Sequence, residues 1–259
     1  MDDLEKAKDK IMMGTERRSM VMSEEVKRNT AYHEAGHAIL NELLEHTDPL
    51  HKVTIIPRGP ALGVTMFLPE EDKYTQRKFE MLDHLIVSMG GRVAEEIVFG
   101  DVTNGAGGDI KMATDVARKM VCQWGMSEEL GMIEYGDHHE HTFLARDMSS
   151  SPSYSEDTAR KIDHEMKRFI DNAYGKAKEM LLEHKHELEL IAKALLEYET
   201  LNASHIRDLM KDGVMSDPPA SPQPPEFPAE EAEKPRVADD DHSAEESSGL
   251  WGDQAAAGA

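Results

Sequence analysis

Ala31-Tyr32-His33-Glu34-Ala35-Gly36-His37-Ala38 places two histidines four residues apart, with a glutamate directly after the first. Ser23 stands ahead of it as a helix N-cap, and Glu24 and Glu25 fill the first turn, where the helix dipole favours acids. Ala31, Ala35, Ala38, Ile39 and Leu43 recur at helical spacing, so the stretch reads as a helix from Ser23 to about Glu45. Residues four apart on a helix share a face, which lets both imidazoles reach one ion. Glu34 is close enough to contact water on that ion. Zinc lowers the pKa of such a water to about 7, and a carboxylate beside it takes the proton during attack on a carbonyl. The small Ala35 and Gly36 leave room for another element, and the apolar flanks Ala31-Tyr32 and Ala38-Ile39-Leu40 predict a half-buried site. A His-Glu-x-x-His motif is short and also arises by chance; its position inside a helix is what the ion geometry requires.

A zinc centre that performs chemistry needs a third protein donor and one open position. The metzincin pattern would put Gly at position 40 and His at 43, and Leu40 and Leu43 exclude it. Four sources of the third donor remain open at this point: Glu95, Glu96, Asp109, and the cluster His138, His139 and His141. The histidine cluster lies in a glycine-flanked irregular stretch and reads as a solvated loop. Glu95 lies on a helix, and Asp109 opens a helix after a glycine-rich loop.

Around this core the chain reads as mainly α. Residues 2–13 form a charged helix ending near Gly14, and Thr15 to Met22 form a linker. A β-like run, His51 to Ile56, leads into the turn Pro57-Arg58-Gly59-Pro60. Ala61 to Leu68 alternates loosely and Pro69 stops it, which gives a short hairpin or part of a small sheet. Gln76 to Gly90 is helical, and Arg92 to Phe99 is a second helix or a continuation past a Gly90-Gly91 break. Residues 100–108 hold four glycines and read as a loop. Helices follow at Asp109 to Gln123, from the Ser155 cap to about Lys185, at Leu188 to Glu199 and at Ala203 to Met210. Residues 126–154 read as irregular.

The 259 residues carry a formal net charge of −22, which would repel phosphates and excludes nucleic acid as a partner. From Ser216 onward there are 11 acidic residues against 2 basic ones, and 7 of the 12 prolines. That composition cannot bury enough surface to offset ordering entropy, so residues 213–259 read as a disordered acidic tail. The single cysteine, Cys122, rules out an internal disulfide and reads as inert core. No apolar run approaches the roughly 20 residues that span a bilayer. The acidic opening Met1-Asp2-Asp3-Leu4-Glu5 is unlike a signal peptide, and no phosphate-binding Gly-Lys-Ser/Thr loop is present.

The run Ala31 to Ala38 resembles the peptidase domain of the FtsH family of membrane-anchored AAA+ zinc proteases. Further segments resemble it in order: Gly91-Arg92-Val93-Ala94-Glu95-Glu96 with Phe99-Gly100, then Thr103-Asn104-Gly105-Ala106-Gly107-Gly108-Asp109-Ile110 with Ala113-Thr114 and Ala117-Arg118, then Gln123-Trp124-Gly125-Met126 and Phe143-Leu144. The resemblance covers about residues 5–211. It implies a zinc endopeptidase with His33, His37 and Asp109 as metal ligands and Glu34 as general base. Glu95 becomes a residue that orients a histidine. It also implies that Ala61, Leu62, Gly63, Val64 and Thr65 belong to an edge strand that pairs with an extended substrate, the alternative being an ordinary structural strand. The implied layout is the end of an ATPase-module helix and a linker over 1–22, the peptidase domain over 23–212 and the tail over 213–259. The expected partners are unfolded polypeptides and, in the full-length protein, five further copies in a homo-hexamer at the cytoplasmic face of a membrane. ATP enters only through an ATPase module that precedes the peptidase domain in the family, so the expectation is a fragment or a stand-alone domain. Two rival readings are an ATP-independent zinc peptidase and a structural zinc module; the latter should be closed by four protein ligands.

Overall fold

The computed structural model describes residues 2–69, 71–135 and 154–220. The polypeptide runs α1 (Asp2–Met13), α2 (Glu24–Leu43), β1 (Leu50–Thr54), β2 (Val64–Phe67), α3 (Lys78–Phe99), a 3-10 turn (Asn104–Ala106), α4 (Gly107–Cys122), α5 (Glu156–Glu183), α6 (Lys185–Tyr198), β3 (Thr200–Asn202) and α7 (Ala203–Asp212). The mainly helical expectation with a small sheet is borne out. None of the described helices is long and apolar enough to cross a membrane. The expected tail beyond residue 220 and the cluster His138, His139 and His141 lie outside the described residues.

The helix that carries the motif is the centre of the fold. Ser23 caps it, its hydroxyl accepting from the Val26 amide at 3.3 Å. From Thr30 to Asn41 every residue of α2 except His33 is buried. A helix buried on nearly all sides needs small residues, and Ala31, Ala35, Gly36 and Ala38 supply them. It packs on α3, on α6 and on the sheet, while α3 in turn packs on α4 and α5. The core joins Ile39 and Leu40 of α2 to Leu85 and Val93 of α3 and to Leu181, Leu188 and Ile191 from α5 and α6. Cys122 is buried there too, and burial pushes its thiol pKa up, in keeping with an inert role.

Two expectations change. Of the two readings left open at Gly90-Gly91 the continuation holds, and without a break, because α3 runs through both glycines. A Cβ on Gly36 would lie 2.4 Å from the Gly90 carbonyl oxygen, and one on Gly90 would lie 2.8 Å from the Gly36 oxygen. The glycines are therefore the point where two helix backbones meet. The sheet also has a third strand. Its order is β2-β1-β3, all antiparallel, with Val53 opposite both Thr65 and Leu201. β2 is thus an edge strand. It is shorter than expected, because Arg58 and Ala61 close a tight turn by exchanging backbone bonds of 2.9 and 3.0 Å and leave Ala61 to Gly63 outside the ladder.

The segment after α1 is not loose. Arg58 is buried, and its guanidinium donates to the Gly14 carbonyl at 3.1 Å and to Glu16 Oε1 at 2.6 Å. Arg17 answers in the other direction, its amide reaching the Pro57 oxygen at 2.8 Å and its Nη1 the Gly59 oxygen at 3.0 Å. Asp9 of α1 pairs with Lys52 of β1.

Candidate metal centre

His33 and His37 lie one turn apart on α2, with ring centroids 4.8 Å apart. Each ring is fixed from behind through Nδ1. His37 Nδ1 donates to the Val87 carbonyl of α3 at 2.8 Å, and His33 Nδ1 pairs with Glu95 Oε1 at 2.8 Å. A carbonyl only accepts, so the His37 proton sits on Nδ1 and the Nε2 lone pair faces the cleft. Close packing allows these contacts: a Cβ on Gly91 would fall 2.4 Å from the His33 ring.

Asp109 arrives from the start of α4. Thr103 shapes the turn before it, its hydroxyl accepting from the Gly105 amide at 3.1 Å. Glu95, 2% exposed, also accepts from the Thr103 amide at 2.7 Å, so one carboxylate holds both His33 and the loop that delivers Asp109. Burial pushes the Glu95 carboxyl up, but the bonds from His33 and Thr103 outweigh it and leave the group below its ordinary value. Glu96, the neighbouring candidate, is engaged elsewhere, by Lys178 Nζ at 2.7 Å and by the Tyr174 hydroxyl.

Three donor atoms converge on one point. His33 Nε2 lies 3.2 Å from His37 Nε2 and 3.1 Å from Asp109 Oδ2, and His37 Nε2 lies 3.6 Å from the same oxygen. A tetrahedral zinc with bonds of about 2.0–2.1 Å requires donors about 3.4 Å apart. The three separations bracket that value, so the residues fit the ion. Among the described residues this is the one cluster with metal-ligating geometry. Its electrostatics also favour a cation. Burial works against a charged His33, yet the Asp109 and Glu95 carboxylates that bond it, with Glu34 nearby, push its pKa up to about 10. Burial likewise opposes a charged Asp109, and the bond from His33, with the His37 ring close by, overcomes it and holds the carboxyl well below the usual range.

Glu34 is buried beside this cluster, its Oε2 accepting from the Thr65 hydroxyl at 2.6 Å. The cleft in front measures ≈ 740 Å³. Ala61, Leu62, Gly63, Val64 and Thr65 all line it, although only Val64 and Thr65 belong to β2. The Val87 carbonyl and the Thr65–Glu34 bond have no counterpart in the sequence reading. The first is a backbone group that any residue type supplies, and the second depends on strand register.

A helical domain with two histidine nitrogens, one carboxylate oxygen and a second carboxylate alongside has the constitution of a metallopeptidase centre. Residues 20–209 match the family model described as Peptidase family M41, and the chain belongs to that family. It is 61% identical over 223 residues to the ATP-dependent zinc metalloprotease FtsH 2 of Methylacidiphilum infernorum, covering 86% of this chain and 35% of that protein. It is 51% identical over 242 residues to the ATP-dependent zinc metalloprotease FtsH of Akkermansia muciniphila, covering 93% of this chain and 30% of that protein. The FtsH of Myxococcus xanthus is 49% identical over 242 residues, covering 92% of this chain and 38% of that protein. The chain thus spans about a third of the length of the curated relatives it matches.

Proposed function

We propose that this chain is the zinc endopeptidase domain of an FtsH-type ATP-dependent protease and cuts unfolded polypeptides. The observation that carries the reading is the convergence of His33 Nε2, His37 Nε2 and Asp109 Oδ2 beside the buried carboxylate of Glu34, in a chain of the M41 family. His33, His37 and Asp109 hold zinc, and Glu95 orients His33 and the Asp109 loop. When bound, zinc supplies a Lewis acid that polarises a peptide carbonyl and acidifies water. Glu34 takes a proton from the attacking water and returns it to the leaving amine. The free edge of β2, with Ala61 to Gly63 before it, aligns an extended substrate through backbone hydrogen bonds, which suits a protease indifferent to sequence.

Residues 23–212 form the peptidase domain in this reading, residues 1–22 the end of an ATPase-module helix and its linker, and residues 213–259 an acidic tail. The whole protein then works as a homo-hexamer at the cytoplasmic face of a membrane, with ATP spent by the ATPase module. A structural zinc module is disfavoured, because three donors converge among the described residues where a closed site has four.

The test is Glu34→Gln. The variant is expected to retain stoichiometric zinc by metal analysis and to lose casein cleavage. Cleavage near the wild-type rate would sink the assignment of Glu34.

A further inference from the structure

Glu34 is a flexible side chain asked to meet a proton at hydrogen-bond distance, and its own helix does nothing to fix its carboxylate. The fixing comes from the edge strand. Thr65 donates its hydroxyl proton to Glu34 Oε2 at 2.6 Å, and the same hydroxyl lies 3.3 Å from the Glu34 carbonyl oxygen. The other carboxylate oxygen rests against Gly63: a Cβ there would lie 2.7 Å from Oε1 and 2.8 Å from Cγ. Both oxygens are thus in contact with the two residues Gly63 and Thr65. Thr65 sits opposite Val53 in the ladder, so its place is set by the sheet rather than by a mobile loop.

We infer that Thr65 is a positioning residue that holds the Glu34 carboxylate in its working orientation. The inference rests on the reading of Glu34 as general base and adds to it the group that aims that base. A general base must lie about 2.6–3.2 Å from the proton it takes, and a misplacement of about 1 Å costs on the order of a hundredfold in rate. Removing the hydroxyl takes away the bond to Glu34 Oε2 without altering any metal donor. The arrangement also ties two tasks to one segment: β2 offers its open edge to an extended chain and its inward-facing Thr65 to the base. A substrate that registers on the strand is registered on the carboxylate as well.

The experiment compares Thr65→Val, which keeps the shape, with Thr65→Ser, which keeps the hydroxyl. Both are made in the zinc-loaded 259-residue chain and read on dye-labelled unfolded casein. Thr65→Val is expected to lower kcat about tenfold while KM and zinc content stay at wild-type values, and Thr65→Ser to restore kcat. In a Glu34→Gln background, Thr65→Val is expected to add no further loss of affinity for a peptide hydroxamate, because the group it aims has gone. Calorimetric titration with a small peptide hydroxamate, which chelates zinc and donates a proton to the base, gives the same comparison without turnover: weaker binding for Thr65→Val, wild-type binding for Thr65→Ser. Wild-type kcat and hydroxamate affinity in Thr65→Val, equal losses in Val and Ser, or a full further loss of hydroxamate affinity on Glu34→Gln would each overturn the inference. If Glu34→Gln itself cleaves casein normally, it is the general-base reading that fails.

Discussion

Both histidine donors are held from behind by a second residue, Asp109 is held through the loop before it, and those partners are where single substitutions discriminate. Asp109→Ala removes one of three donors and is expected to abolish tight zinc binding and casein cleavage together; retained metal and activity would point to Glu95 as the donor instead. Glu95→Gln keeps the shape but weakens the grip on His33 and on the Thr103 amide. It is expected to loosen zinc about 10- to 100-fold in competition with a chelating dye. Far from the cleft, Glu165 is 1% exposed and accepts from Ser127 Oγ at 2.5 Å and from Arg168 Nε at 2.6 Å. Arg168, with Ser127, holds its carboxyl below the ordinary value of 4.5. A depressed carboxyl stabilises the fold above its unfolded value, and that stability is lost as pH falls through the folded one. Glu165→Gln is therefore expected to lower Tm at pH 7 and to flatten its fall below about pH 4.5, as read by thermal melts across pH. At this scale the sequence is informative where chemistry follows a period. His33, Glu34 and His37 are legible because a helix puts positions i and i+4 on one face. The Val87 carbonyl and the Thr65 hydroxyl are not, because backbone groups leave no letter and register requires the partner strand.

Between elements, the decisive contact is the crossing of α2 and α3 at Gly36 and Gly90. Gly36→Ala would put a methyl 2.4 Å from the Gly90 carbonyl oxygen, a backbone atom that cannot swing aside. The helices must part, and overpacking of this kind costs about 1–3 kcal/mol or more. The expected outcome is a Tm several degrees lower, with zinc affinity reduced at unchanged donors; a wild-type melt would mean that α3 shifts freely. Sequence reasoning sees the smallness of Gly36 and infers room for a neighbour. It leaves open at Gly90-Gly91 a second helix or a continuation past a break, because glycine is a poor helix former and nothing local announces the helix it faces. The third strand escapes for a related reason. Thr200-Leu201-Asn202 is three residues long, too short for an alternation to register, and it exists because Leu201 finds Val53.

Across the whole domain, metal and fold are expected to be linked. An ion bound at a thousandfold its Kd adds about 4 kcal/mol to stability. Chelation is expected to lower Tm in scanning calorimetry and readdition of zinc to restore it; an unchanged melt with the metal shown to be gone would uncouple the two. The fold class, the order of helices and the apolar core follow from helical periodicity and composition. The assembly of the centre does not, since its residues come from α2, α3, the first turn of α4 and β2, and only tertiary packing unites them. Arg58, in the turn before that strand, shows the same thing: a surface-type residue by letter, it is buried because Gly14 and Glu16 meet it.

The meeting of glycines at the helix crossing has a consequence for heredity. A colony screen for lost casein clearing would collect lesions at the donors and at Glu34, as any reading of the motif leads one to expect. It would also collect codon changes at Gly36, Gly90 and Gly91, whose products carry every donor intact and still fail, because a side chain at any of the three pushes against the opposing backbone or the His33 ring. Single-base changes convert every glycine codon to larger residues, so each of the three positions is open to this silent-looking loss.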